Sequence, residues 1–425
     1  MPVFERVLRK ETAAAAVVPT SCPSDCGSLK CRTTASGSRT GMLRLNLEDF
    51  PTTRSVTYLN SASISLMPKP AIESMVEFER KIASGGTISF DEEAETQVLE
   101  SARNETASLF GAHREEVAVL SSATVGICSF AWSLDLKRGA NVVSTDADFP
   151  SVVYPWMRLG QEKGLEVRLA KNHDGVVDED ELEQLVDDST AVISISHVEY
   201  GTGQRFDLRW LSDLAHSHGA LLIVDATQSA GLMPIDVHRD GVDALVASGY
   251  KGLLGPFGAA VFYLKRELVE KLEPPLVGWR SAPDPYNLNV TELTFAGDAK
   301  KFEYSTMNYA SPVGLAESIR YLKKIGHKNV TDHVLSLTEK FIDMMRNNSN
   351  IPEPTALTPE DESSHASIAS FRFKGRDQSA IAAELVKRRV IASQRFNGVR
   401  FSFHVYNTEQ DLLRASQALE EILAK

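Results

Sequence analysis

Seven short apolar, β-branched runs separated by longer stretches constrain this chain more than any other feature. They are "EVAVLSS" (116–122), "NVVST" (141–145), "EVRLA" (166–170), "AVISISHV" (191–198), "ALLIVDAT" (220–227), "ALVAS" (244–248) and "AAVFYL" (259–264). Runs of this length and composition read as buried strands. Between them lie the helical patterns "PSVVYPWMRLGQEKG" (150–164), "DEDELEQLVDD" (178–188) and "DLRWLSDLAHSHG" (207–219). Alternating β and α elements predict an α/β fold, a mainly parallel seven-stranded sheet covered by helices. The last run follows its predecessor after only a short loop, so it is expected to be antiparallel.

From about residue 311 the pattern changes. Two long helices are predicted, through "SPVGLAESIRYLKKIG" and "VTDHVLSLTEKFIDMMRNN". Strand-like "SIASFRF" and "VRFSFHVY" then alternate with helical "DQSAIAAELVKRR" and "TEQDLLRASQALEEILAK". The expected organisation is an extension over 1–41, a segment 42–65 contributing to a small domain, a large domain over 66–310, and a small α+β C-terminal domain over 311–425. The first 41 residues are rich in Ala, Ser, Thr and Gly and lack an amphipathic period, a composition that cannot offset the entropy of ordering. They read as a disordered tail without catalytic function, with a transit peptide or an upstream extension ahead of Met42 as the alternatives.

Composition narrows the partners. The formal net charge is −12, which argues against a general nucleic-acid or anionic-membrane surface. No apolar run approaches the roughly 20 residues that span a bilayer. Of the four cysteines, Cys22, Cys26 and Cys31 fall in the extension and only Cys128 in the body. A disulfide framework is thereby excluded for the body, and a reducing cytoplasmic setting is expected. The first three lack a fourth ligand at a usual interval, so no metal site is predicted there.

Three features sit where predicted strands end, the place where open α/β sheets bind ligands. In "VLSSATVGI" (119–127) the N–H groups of Ala123 and Thr124 and the Thr124 hydroxyl suit a phosphate at a helix N-terminus; an ordinary N-cap explains the segment equally well. In "LLIVDATQSAG" (221–231) four apolar residues deliver Asp225 to a strand end, where its carboxylate suits a protonated ring nitrogen, with Gln228 three residues on. A helix-capping aspartate is the plainer reading. In "ALVASGYKGLLGPFG" (244–258) Lys251 follows a buried strand, where burial makes an amine more nucleophilic, flanked by the hydroxyls of Ser248 and Tyr250.

Together, in this order and spacing, the three segments resemble the class V aminotransferase and cysteine desulfurase family, from "YLNSASIS" (58–65) to "HVYNTEQDL" (404–412). The resemblance implies PLP fold type I and pyridoxal 5′-phosphate (PLP) carried as a Schiff base on Lys251. It further implies Asp225 on the pyridine nitrogen, Gln228 on the phenolic oxygen, and phosphate contacts from Ala123, Thr124, Ser248 and Tyr250. "DADFPSVVYPW" (146–156) is similar to the segment that stacks a ring on the cofactor, here Phe149 where desulfurases usually carry His. "KKFEYSTMN" (300–308) is similar to the loop reaching a neighbouring subunit's phosphate, which implies a homodimer with Thr306 as the contact. "VRFSFHVYNTEQD" (399–411) resembles the strand whose arginine, here Arg400, holds the substrate α-carboxylate, with Asn60 and Ser61 beside it and Arg395 a weaker candidate. His197 reads as a satisfied structural histidine. Tyr200 stands where relatives commonly carry Asn, which puts that ring-oxygen contact in doubt.

The implied activity is that of a PLP-dependent enzyme acting on a small amino acid through a Cα carbanion, of aminotransferase or C–S lyase type. A persulfide route needs a mobile cysteine in "VIASQRFNGVRF" (390–401), and none is there. Cys128, on the phosphate helix, reads as a small buried side chain. Epimerisation and kynureninase-like cleavage stay open; "ASGYKGLLGPFG" and "HVYNT" look most like the isopenicillin-N-epimerase-like branch, whose members differ in reaction. A cofactor-free structural relative would lack Lys251, Asp225 or Arg400, and all three are present; a non-catalytic PLP-binding protein is the alternative from another class. A PLP-binding regulator would need a DNA-binding helix-turn-helix, which the first 41 residues cannot form.

Overall fold

The larger of the two main sheets has strands that are, apart from an edge strand, buried on both faces. The computed structural model describes residues 45–352 and 354–424; the expected extension over 1–41, with Cys22, Cys26 and Cys31, lies outside the described residues. The chain runs through β1 (Thr57–Tyr58), α1 (Lys69–Gly85), α2 (Glu92–Phe110), β2 (Val117–Leu120), α3 (Ala123–Ser133), β3 (Asn141–Thr145), α4 (Pro150–Lys163) and β4 (Glu166–Ala170). A short hairpin, β5 (Asn172–His173) and β6 (Val176–Val177), leads to α5 (Glu179–Gln184), β7 (Thr190–Ser196), α6 (Leu208–Ser217), β8 (Leu221–Asp225), β9 (Ala244–Ser248), β10 (Ala260–Leu264) and α7 (Arg266–Lys271).

The sheet order is β2-β10-β9-β8-β7-β3-β4. Only β10 runs against its neighbours, pairing Ala260 with Ser248 on one side and with Leu120 on the other. The α/β architecture and the antiparallel seventh strand thus agree with the sequence expectation. Period-2 alternation sends neighbouring residues to opposite faces. Val142, Val192, Ile223 and Val246 join Phe130 and Trp156 beneath α3 and α4. Val143, Ile193, Leu222 and Leu245 join Leu211 and Leu214 of α6 on the other face.

The rest of the chain contributes α8 (Ala310–Ile325), α9 (His327–Asn347), β11 (Pro354–Ala356), β12 (Ile368–Phe373), α10 (Gln378–Lys387), β13 (Val390–Ile391), β14 (Ser393–Arg395), β15 (Gly398–Ser402) and α11 (Glu409–Leu423). Helix α8 packs along α1 and α2 and buries Leu315 and Ile319 in the core of the large sheet. A second, antiparallel sheet has the order β11-β12-β15-β14. Its core centres on Phe341 of α9, whose ring meets those of Phe401 and Phe403 at 4.9 and 5.7 Å. The incoming β1 pairs in parallel with β13, and Asn60 bridges to Ser402. Among the described residues no helix is long and apolar enough to cross a membrane.

Candidate active site

The carboxyl ends of β2, β3, β7, β8 and β9 open into one cleft, lined by Ala123, Thr124, Phe149, Ser196, Tyr200, Asp225, Thr227, Gln228, Ser248, Tyr250 and Lys251 among others. Helix α3 points its N-terminus at this cleft. Ser122 is its N-cap, its hydroxyl accepting from Val125 N–H at 3.2 Å. Capping therefore falls to Ser122, and the first-turn N–H groups of Ala123 and Thr124 have no intrahelical acceptor. The Thr124 hydroxyl donates to Ser151 Oγ at 2.9 Å. The helix lies so close to the sheet that a Cβ on Gly126 would meet Val246 Cγ1 at 2.6 Å. Only glycine permits that approach, which holds the helix terminus against the strand ends.

Asp225 ends β8 with its carboxylate buried. Thr227 N–H donates to it at 2.8 Å, and Thr227 Oγ1 accepts from Ser248 N–H at 3.0 Å, lashing the ends of β8 and β9 together. Burial raises the Asp225 carboxyl above its ordinary range, opposed by the Thr227 hydrogen bonds and the Lys251 charge. Gln228 Nε2 donates to the Ala62 carbonyl at 3.0 Å. Tyr250 stacks on Phe257 with centroids 4.3 Å apart. Burial raises its phenol, so the hydroxyl remains a hydrogen-bond donor at neutral pH.

Lys251 follows β9 in a turn that includes Leu254 in the left-handed region (φ 57). A buried leucine at positive φ costs about 1–3 kcal/mol and persists only where packing over-determines the turn. Here the Leu254 carbonyl accepts from Ser318 Oγ at 2.9 Å and its N–H donates to the Lys251 carbonyl at 3.0 Å. The Lys251 amine stands 5.6 Å from the Phe149 ring centroid and 5.8 Å from that of Tyr250. Burial pulls its pKa down to about 8, with Arg400 and Arg395 adding to the fall and Asp225 opposing it. In cofactor-free protein the reactivity of this amine toward a small electrophile is expected to rise with pH through a midpoint near 8. An ordinary lysine rises to roughly 10.4. Peptide mapping across a pH series measures the midpoint; one near the ordinary value contradicts the buried-amine account.

Phe149 is 45% exposed on the cleft wall, an unusual position for a phenylalanine. It meets Tyr200 edge-on at 5.5 Å, and Tyr200 in turn packs on Phe396 of the β14–β15 turn at 5.7 Å. Behind this wall lies a group the sequence did not reveal. Asp148 accepts from Ser196 Oγ at 2.5 Å and from Ser196 N–H at 3.2 Å. Glu199 accepts from Thr145 Oγ1 at 3.3 Å, and its Oε2 is buried without a partner. Burial, then the Asp225 charge, pushes Asp148 up to about 7. Burial, then Asp148, drives Glu199 well above the carboxylate range. Like charges this close cannot all ionise, so the cluster keeps a proton at neutral pH. His197 is buried with Nδ1 unpartnered, which corrects the expectation of a satisfied histidine; burial and Arg205 lower it to about 3, so it is neutral.

Arg400 stands one layer behind the cleft wall rather than on it. It donates to the Tyr200 carbonyl at 2.5 Å, to Ser63 Oγ at 2.6 Å and to Asn60 Oδ1 at 3.4 Å. Its Nε is buried without a partner, and among the described residues no carboxylate pairs with it. Burial, then Arg395, lowers its pKa to about 9. Arg395 itself donates to the Gln394 carbonyl at 2.7 Å. Ser61 faces away, donating to the Phe403 carbonyl at 3.1 Å, whereas Ser63, not singled out from the sequence, touches the guanidinium. Thr306 is exposed and does not line the cleft.

The family model described as "Aminotransferase class-V" matches residues 57–415. This chain belongs to the class V aminotransferase family. An uncharacterized aminotransferase of Bacillus subtilis is 31% identical, over 88% of this chain and 96% of that protein. A probable cysteine desulfurase of Methanothermobacter thermautotrophicus is 29% identical over the same shares of the two chains. The apo structure of a cysteine desulfurase from Thermococcus onnurineus superimposes with a TM-score of 0.80 at 28% identity, over 89% of this chain and 97% of that one. A cystine C–S lyase in complex with its product cysteine persulfide has the same fold, with a TM-score of 0.80 at 21% identity, over 88% and 99% of the two chains.

As a class V aminotransferase the protein is a PLP-dependent enzyme of fold type I, and the residues of the cleft fit that cofactor. Lys251 offers a buried amine with no hydrogen-bond partner among the described residues, suited to an aldehyde. Asp225 offers a buried carboxylate, the Ala123–Thr124 helix terminus and the Ser248 and Tyr250 hydroxyls suit a phosphate, and Phe149 presents an exposed ring face.

Proposed function

We propose that the enzyme is a lyase acting at the C–S bond of a small sulfur-bearing amino acid, with the sulfur released rather than held on an enzyme cysteine. The observation that carries this is the turn between β14 and β15. Where a persulfide route needs a mobile thiol, the turn presents Phe396 packed on Tyr200. Cys128, the only cysteine among the described residues, sits half-buried on α3 with its thiol raised by burial, the opposite of an activated thiolate. The relatives named cysteine desulfurase support C–S chemistry, and the cystine C–S lyase supplies a precedent for this fold. Phe149 and "HVYNT" also liken the chain to the isopenicillin-N-epimerase-like branch.

PLP, when bound, supplies the electron sink that stabilises negative charge at the substrate α-carbon. Asp225 holds the ring nitrogen and favours its protonated form. Gln228, through the second Nε2 hydrogen that its bond to Ala62 leaves free, would donate to the phenolic oxygen and orient the ring from that side. The helix terminus at Ala123 and Thr124, with Ser248 and Tyr250, grips the phosphate. Arg400, freed in part from Tyr200 and Ser63, takes the substrate α-carboxylate, with Asn60 and Ser63 shaping that end of the site. Lys251, with a pKa near 8, moves the proton at Cα as base and acid. Thr306, exposed outside its own cleft, completes the neighbouring site in a homodimer. On this reading residues 66–310 carry the cofactor, and 311–425 with 42–65 carry the substrate arginine. A reducing cytoplasmic setting suits the single body thiol.

The test incubates the holoenzyme with cysteine, cystine and alanine and scores sulfide, pyruvate, alanine and racemised substrate separately. Sulfur release with pyruvate is the expected result, and Cys128→Ala is expected to leave it unchanged. Transamination without sulfur release, or loss of activity in that variant, overturns the proposal. The uncharacterized aminotransferase relative makes transamination the second reading.

A further inference from the structure

The opposite end of the large sheet, where β2 and β9 begin, carries a cluster that plays no part in the cleft. His113, Glu116 and His238 each offer one ligand atom, and these atoms all lie within 4.8 Å of one another. Glu116 is buried at the end of the short turn Arg114–Glu116 ahead of β2, where its carboxylate accepts from His113 N–H at 2.8 Å. His238, from the loop ahead of β9, brings Nε2 to 3.1 Å from the same carboxylate. The two imidazoles are 5.3 Å apart, and both are exposed, which leaves a path for an ion.

A second observation points the same way. Tyr263, on β10 opposite Val117, is 1% exposed, and its hydroxyl is buried with no hydrogen-bond partner. Its ring stands edge-on to His238 at 6.2 Å. A buried hydroxyl without a partner costs free energy unless something satisfies it. The neighbouring cations are neutralised: Arg239 is paired with Asp240 at 2.7 and 3.0 Å, and Arg114 with Glu100 and Glu115 at 2.7 and 2.8 Å. Two imidazole nitrogens and a carboxylate oxygen form a donor set suited to a zinc-type ion. Tetrahedral bonds of about 2.1 Å require ligand atoms roughly 3.4 Å apart, a small contraction of the present cluster.

We propose that His113, Glu116 and His238 bind a divalent transition-metal ion of the zinc type, with water in the fourth position hydrogen-bonded to Tyr263. The ion staples the turn ahead of β2 to the loop ahead of β9. The site is structural and lies at the end of the strands remote from Lys251, so its success or failure is independent of the proposed reaction.

The experiment uses untagged, full-length holoenzyme stripped with a chelator and titrated with zinc chloride, read by calorimetry, thermal unfolding and zinc-edge X-ray absorption. One zinc per chain is expected, with a raised unfolding midpoint, unchanged visible cofactor absorbance and a zinc shell of imidazole nitrogen and oxygen. The double variant His113→Ala/His238→Ala, at exposed positions, is expected to keep the zinc-free midpoint. Its zinc affinity should fall by more than the roughly 10–100-fold that loss of a single outer partner costs. Should that variant not fold, His113→Gln/His238→Gln preserves bulk and must show the same loss. Absent uptake, a shell containing sulfur from Cys22, Cys26 and Cys31, or undiminished binding in the variants overturns the proposal.

Discussion

Lys251→Ala is expected to abolish turnover while leaving a protein that still takes up PLP, now removable by dialysis. The amine is the one group in the cleft suited to a covalent link, and its pKa near 8 provides a substantial neutral fraction at physiological pH. Losing proton transfer at Cα alone costs about 10²–10⁴ in rate. Asp225, the α3 terminus and the flanking hydroxyls remain, so noncovalent affinity survives. Borohydride treatment followed by peptide mass analysis is the direct measurement: the wild type should carry the reduced cofactor on Lys251 and the variant nowhere. A variant with wild-type turnover, or label on another lysine, removes Lys251 from its role.

The second large effect is expected at Arg400. Replacing it with alanine should raise KM for carboxylate substrates about 10- to 150-fold, the equivalent of a charged hydrogen bond of about 1.5–3 kcal/mol. The guanidinium is buried without a carboxylate, one nitrogen lacks any partner, and its charge is destabilised toward a pKa of about 9. A buried cation left this way gains from an anionic ligand what it lacks in the free protein. Arg400→Lys should recover only part of the loss, because an ammonium cannot form two parallel bonds to a carboxylate. Since truncation also strands the Tyr200 carbonyl and Ser63 hydroxyl, a thermal midpoint must accompany the kinetics. An unchanged KM in a folded variant excludes Arg400 from substrate binding.

The residues that line the cleft are in large part legible in the sequence. Lys251 and Asp225 announce themselves because each follows a buried apolar run, and a polar residue at such a strand end must face either solvent or a ligand. The Ala123–Thr124 terminus was legible for the same reason, although capping by Ser122 was settled only by the 3.2 Å bond to Val125. Ser63 and Thr227 were missed because a lone hydroxyl carries no pattern. Asp148 and Glu199 were missed because their meeting depends on the pairing of different strands. The position of Arg400 behind Tyr200, rather than on the cleft wall, depends on the second sheet docking against the loop that follows β7.

The local information in this sequence determined the elements themselves. Short continuous apolar, β-branched runs make buried strands, and the residue after each run is fixed to a strand end by chain connectivity. Tertiary structure decided what those ends share. The order β8-β7-β3 brings Asp225, Glu199 and Asp148 within electrostatic reach, and that proximity, together with burial, keeps a proton in the cluster. Charge coupling falls with distance, and distance between strands is set by long-range pairing that no short stretch of sequence encodes.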